Sequence, residues 1–206
     1  GAYVGPALEF YRGGLGHVLL GWRPGPAFFG HPPLLYVLLA LDFVLLGPTP
    51  VAAHLFALAW AFLALWYTYL FGRDLHGRTA GLLAAGLLLA MPVFFAQAGL
   101  VNGDVPIAAL GLMAAWYACR RRYATSVLCA SLAVLTKETA LALVAATALY
   151  VLLFQPPPNA NAQTRRVHFH WRPALAYLLP VALLAAFYLW QRLARGQWVA
   201  NPYFDD

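Results

Sequence analysis

YATSVLCASLAVLTKETALALVAATALYVLLF, residues 123 to 154, is apolar almost throughout and is interrupted at its middle by Thr136-Lys137-Glu138. As one straight helix it would reach roughly 48 Å, well beyond the ~30 Å hydrocarbon core of a bilayer. Arginines flank it on both sides, Arg120, Arg121 and Arg122 before it and Arg165 and Arg166 after it. Clustered arginines mark cytoplasmic loops, so both flanks belong on one side. Two short segments that turn back at residues 136 to 138 meet both demands. The stretch therefore predicts an all-α, polytopic helical membrane protein whose charged hinge lies on the face opposite its arginines. The alternative for Lys137 and Glu138 is an interfacial pair that snorkels to the headgroups.

Composition agrees. Hydrophobic residues make up 63% of the 206 and charged residues only 10%, against about a quarter charged in a soluble domain. The net charge of +6 comes from short basic clusters between apolar runs rather than from one polar face, which argues against nucleic acid as a partner and for the lipid bilayer. Cys119 and Cys129 lie in or beside apolar segments without metal-ligand spacing and read as small packing residues. His168 and His170 have no partner cysteine or acid nearby, so no metal site is expected. The sequence requires no cofactor, and a divalent cation stays open.

Upstream of the hinge segment, PVFFAQAGLVNGDVP, residues 92 to 106, joins two apolar runs and carries Asp104. A carboxylate at such a junction costs several kcal/mol if it enters hydrocarbon. Asp104 is thus a candidate catalytic residue, with Asn102 beside it as a substrate-binding candidate. The alternative role for Asp104 is the N-cap of the helix that follows, with Pro106 in its first turn.

Spans are expected over about 51–71, 79–98, 105–119, 123–136, 138–154 and 173–191, in a transmembrane bundle covering residues 48–206. Residues 34–46, interrupted by Asp42, are too short to cross and read as interfacial or re-entrant. Residues 1–47 are expected to form an outer loop with juxtamembrane helices, the first starting near Pro6 and ending at Gly13 and Gly14. Glu9 and Arg12 lie on that helix, as a solvated pair or as part of a site. His31 precedes Pro32 and Pro33 at the start of the next helix, where anions are favoured; a structural role is the alternative. The loops at 72–78, 120–123 and 155–171 are assigned to the cytoplasm. With Arg172, which directly follows the last of them, this puts eight of the thirteen basic residues on the cytoplasmic side and five outside.

With that topology Glu9, Arg12, Arg23, His31, Asp104 and Lys137 share the outer face. Carboxylates beside cations at a lipid-facing cavity suit group transfer from a lipid phosphate: the carboxylate takes a proton while the cations hold the phosphate.

The ordered set of short motifs carries a resemblance. It comprises A-x-E-x-x-x-x-G at Ala7 to Gly14, H-P-P-L at His31 to Leu34, G-R-x-L-x-G-R-x-A-G at Gly72 to Gly81, P-x-x-x-x-Q-A at Pro92 to Ala98, Asp104-x-Pro106, and L-T-K at Leu135 to Lys137. Over about residues 2 to 155 the chain resembles the bacterial GT-C glycosyltransferases, and most of all the branch of protein O-mannosyltransferases and lipid A aminoarabinose transferases. The resemblance implies a cell-membrane enzyme that takes a sugar from a polyprenyl-phosphate donor to an acceptor (protein, lipid or glycan) on the extracytoplasmic face, with inversion. It also implies a principal acidic residue just upstream of Gly1. The chain is accordingly expected to be a fragment that lacks the first transmembrane helix and is inactive alone. Asp104 matches the family's second acidic position, and Glu9 lies in its A-x-E motif. His31 matches the histidine of the HPP motif, although the lysine that adjoins the prolines in several relatives is absent. Lys137, His31, Arg12 and Asn102 are the expected substrate-binding residues.

Two other classes fit the composition. A transporter or flippase subunit would use Asp104 and Lys137 as a coupling site among broken helices. Inverted repeats would favour it, and none is evident. A membrane scaffold without a site is the other.

Overall fold

The computed structural model describes residues 3–20, 31–154 and 170–195. Residues 155–169 of the expected loop at 155–171, with Arg165, Arg166 and His168, and Arg23 lie outside the described residues. Among those described the fold is all helical: α1 (Val4–Leu20), α2 (Leu34–Leu46), α3 (Pro50–His76), α4 (Arg78–Ala90), α5 (Pro92–Ala98), α6 (Asp104–Cys119), α7 (Tyr123–Thr136), a 3-10 turn (Glu138–Ala140), α8 (Leu141–Leu153), α9 (Trp171–Leu175) and α10 (Leu178–Arg195).

The chain is an integral membrane protein, and α3 shows the pattern most plainly. Ala53, Ala57, Ala61 and Ala64 are buried along one stripe, whereas Leu55, Leu58, Phe62 and Trp66 are exposed. Small residues inside and bulky apolar residues outside let helix backbones approach closely and suit a lipid exterior. Pro50–His76 and Trp171–Leu193 are long and apolar enough to cross a membrane. The expected spans 51–71 and 173–191 fall within them. Over 79–98 the helix breaks, with α4 and α5 meeting at 76°. Pro92 causes this, because it cannot donate the backbone hydrogen bond and pushes Met91 into an extended conformation; φ and ψ there are −68° and 122°. The expected spans 105–119, 123–136 and 138–154 correspond to shorter apolar helices.

α1 differs from expectation. It runs to Leu20 instead of stopping at Gly13 and Gly14. An interior glycine costs about 1 kcal/mol relative to alanine, and packing against α2 offsets that: Phe10, Tyr36 and Ala40 form one buried cluster.

The hinge turns the chain back. Lys137 is extended between α7 and the 3-10 turn, and α8 returns along α6. A side chain at Gly111 would collide with Leu143, and the Cys119 thiol lies within hydrogen-bonding reach of Tyr150. Cys129 is buried as expected of a packing residue, while Cys119 is exposed at the end of α6.

At the opposite end from the hinge, α3, α4 and α6 are tied together. Gly77 turns the chain with φ +89°, and a Cβ on Gly81 would fall 2.6 Å from the Tyr69 carbonyl oxygen, so this crossing admits only glycine. Asp74 accepts hydrogen bonds from Arg73 at 3.0 Å, from Trp116 Nε1 at 3.0 Å and from Arg120 at 2.7 Å. The Arg120 guanidinium lies 4.2 Å from the Trp116 ring centroid.

Candidate active site

The turn between α5 and α6 delivers Asp104 to the hinge. Asn102 Oδ1 accepts the backbone N–H groups of Asp104 at 3.0 Å and Val105 at 3.3 Å. Asn102 therefore caps α6, which corrects the alternative in which Asp104 did so. The cap uses the oxygen pole of the Asn102 amide, so its expected substrate-binding part is left to the amide nitrogen. Asp104, relieved of capping, reaches across to Lys137 at 2.6 Å. Its side chain is half exposed, and that of Lys137 is 20% exposed. The Asp104 hydrogen bond raises the Lys137 pKa above its ordinary value, outweighing partial burial. Lys137 is thus an ammonium throughout the physiological range.

Glu138, the next residue, turns the other way. Its carboxylate lies 2.8 Å from His31 Nδ1. A carboxylate only accepts, so Nδ1 carries the proton. The interfacial Lys137-Glu138 pair considered from the sequence does not form, because the extended backbone at Lys137 sends consecutive side chains to different partners. Tyr3 completes the cluster. Its ring stacks on His31 at 6.5 Å with an interplanar angle of 8°, and on Tyr36 at 5.6 Å. Burial raises the Tyr3 pKa, opposed by the nearby Lys137 charge, so the phenol stays protonated. The cluster then joins α1, the start of α2, the start of α6 and the hinge. It offers two cations or potential cations, two carboxylates and a phenol, all partly exposed.

Glu9 and Arg12 are not part of it. Both are exposed on α1, and neither makes an ion pair with the other or with the cluster among the described residues. Residues 7 and 10 turn the buried face of this helix toward its neighbours, which leaves 9 and 12 on the outer side. Sequence reasoning passed over Tyr3 and His54, and Glu138 entered it only as a snorkelling partner for Lys137. Its position next to Lys137 in a hinge was the available signal for Glu138. For Tyr3 there was none. His54 is a lone histidine in an apolar run, with no local signal; its Nδ1 lies 2.6 Å from the Gly99 carbonyl oxygen. Among the described residues no group of three or more His, Cys, Asp or Glu could hold a metal ion.

Residues 30–190 match the family described as dolichyl-phosphate-mannose-protein mannosyltransferase, and the chain belongs to that family, a family of membrane glycosyltransferases of the GT-C kind. No curated protein and no solved structure matches it.

Proposed function

We propose that this member of the mannosyltransferase family transfers a sugar from a polyprenyl-phosphate donor to an acceptor hydroxyl on the extracytoplasmic side of the cell membrane, with inversion at the anomeric carbon. The observation that carries the reading is the Lys137–Asp104 pair of 2.6 Å at the hinge. One Lys137 proton is held by Asp104, which leaves two for phosphate oxygens, and a compact ammonium on a flexible stem suits that task. His31, oriented by Glu138, donates Nε2–H to the same ligand when both of its ring nitrogens carry protons. As the sugar–phosphate bond breaks, charge grows on the leaving phosphate, and these groups stabilise it without reorganising. Asp104 lies beside them and is open enough to orient the acceptor hydroxyl or to accept its proton. In this reading the arginine-bearing loops lie in the cytoplasm, which puts the cluster at the outer face. Inversion follows if the acceptor attacks opposite the phosphate.

The test uses the full-length enzyme with a polyprenyl-phosphate sugar. Lys137→Met should weaken donor binding tenfold or more while the protein stays folded. Unchanged donor affinity in the folded fraction would assign Lys137 to the fold alone.

A further inference from the structure

A cleft of about 570 Å³ lies between the start of α1, the α2–α3 junction and the α5–α6 turn, and it reaches Asn102, two residues before Asp104. Val4, Leu8, Phe43, Ala53, Leu100 and Val101 give it apolar walls. Thr49, His54 and Asn102 also line it, and in each of these the backbone occupies one hydrogen-bonding pole.

The Gly99 carbonyl can only accept, so the 2.6 Å contact places the His54 proton on Nδ1. The neutral ring then keeps its lone pair on Nε2. Asn102 Oδ1 receives two backbone N–H groups, which leaves the amide NH₂ to donate. Thr49 Oγ1 accepts from Ala52 N at 3.2 Å and keeps its hydroxyl proton. None of these remaining poles has a hydrogen bond among the described residues. Together they supply one acceptor and two donors inside an apolar cleft. An anion would meet the His54 lone pair, and an ammonium, with three donors, would find a single acceptor. A hydroxyl needs one of each.

We propose that this cleft binds the acceptor substrate as a hydroxyl compound with an apolar body, of which one hydroxyl, other than the reacting one, donates its O–H to His54 Nε2 while its oxygen accepts from the Asn102 amide. The word acceptor rests on the transferase reading; the site itself does not.

Two variants separate binding from folding. In His54→Asn the shorter amide nitrogen takes the place of Nδ1, so the Gly99 anchor survives and the Nε2 acceptor is lost. In Asn102→Asp the capping oxygen survives and the amide donor is lost. The probes are octyl β-D-glucoside, below its micelle concentration, and its fully O-methylated counterpart, applied to the full chain in lipid nanodiscs. Carbethoxylation of His54 by diethyl pyrocarbonate, read by peptide mass spectrometry with His76 as reference, should be slowed fivefold or more by the glucoside and not by the methylated compound. Glucoside affinity should fall about tenfold in each variant, with thermal midpoints close to the parent. Equal protection by both probes, no protection by either, or unchanged affinity in both variants would overturn the proposal. The protection experiment needs no variant, so a misfolded substitution leaves it decisive. Hydroxyl-dependent protection without any sugar transfer would refute the transferase reading and support the site. Transfer without protection would refute the site alone.

Discussion

A carboxylate stands at each end of α6, Asp74 of α3 at one and Asp104 of α6 itself at the other, and the two are used in opposite ways. At the C-terminal end Asp74 takes hydrogen bonds from Arg73, Trp116 and Arg120, and Arg120 also covers the Trp116 ring. Each of its oxygens accepts two hydrogen bonds. At the N-terminal end the Asp104 carboxylate has one hydrogen-bond partner among the described residues, Lys137, and half of its side chain is open. His31 and Glu138 pair beside it. A saturated carboxylate closes a structure; a carboxylate with one partner and free lone pairs can still bind or take a proton. The contrast supports the proposed chemistry at the hinge end, with the arginine end holding helices together.

Asp104→Asn probes the open end most severely. The amide is nearly isosteric and the cap comes from Asn102, so the thermal midpoint should barely move, whereas turnover with a polyprenyl-phosphate sugar should drop about a hundredfold or more. Near-normal turnover would erase the contrast between the two carboxylates.

Gly81→Ala attacks the closed end. The added methyl meets the Tyr69 carbonyl at 2.6 Å, backbone against backbone, and overpacking of this kind costs about 1–3 kcal/mol. Denaturation in mild detergent should show that loss, with KM for the donor unchanged in the folded fraction. A shifted KM would mean that the α3–α4 crossing communicates with the hinge.

Asp74→Asn should cost less, about 1 kcal/mol or below, because its partners are partly exposed and such ion pairs contribute modestly. It should leave turnover within about twofold, and a large loss of activity would refute the division of labour.

The smallest effect concerns pH. The Lys137 pKa is raised above its ordinary 10.5 by Asp104, so the folded state holds this proton more tightly than the unfolded chain. Its stabilisation is complete below the unfolded pKa and disappears as pH rises through the folded one. Between pH 7 and 9 the difference in thermal midpoint between the parent and Lys137→Met should therefore stay constant. A difference that shrinks over this range would show that Lys137 loses its proton early and that the pair is not an ion pair.

Much of this was legible in the residues themselves. The apolar runs announce membrane helices, and their lengths against the bilayer exclude a single helix over 123–154. The cost of a lone carboxylate or ammonium beside hydrocarbon singles out Asp104 and Lys137. These are local properties, set by a residue and its near neighbours in the chain. Partnership is not local. His31 and Glu138 are 107 positions apart, Lys137 and Asp104 33 apart, and His54 and Gly99 45 apart. Even the cap of α6 turned on two residues, Asn102 and Asp104, equally suited to the role by type. Glu138 could have snorkelled with Lys137, and Glu9 could have faced the hinge, without any change in hydropathy or propensity. Helix packing decided otherwise: buried Ala7 and Phe10 set the rotation of α1, the extended Lys137 parted it from Glu138, and the Pro92 bend carried Gly99 to His54. The sequence determined which charges are too costly to be idle, because desolvation acts on each residue where it stands. Only the tertiary structure determined which of them meet, because that depends on how apolar helix faces interlock.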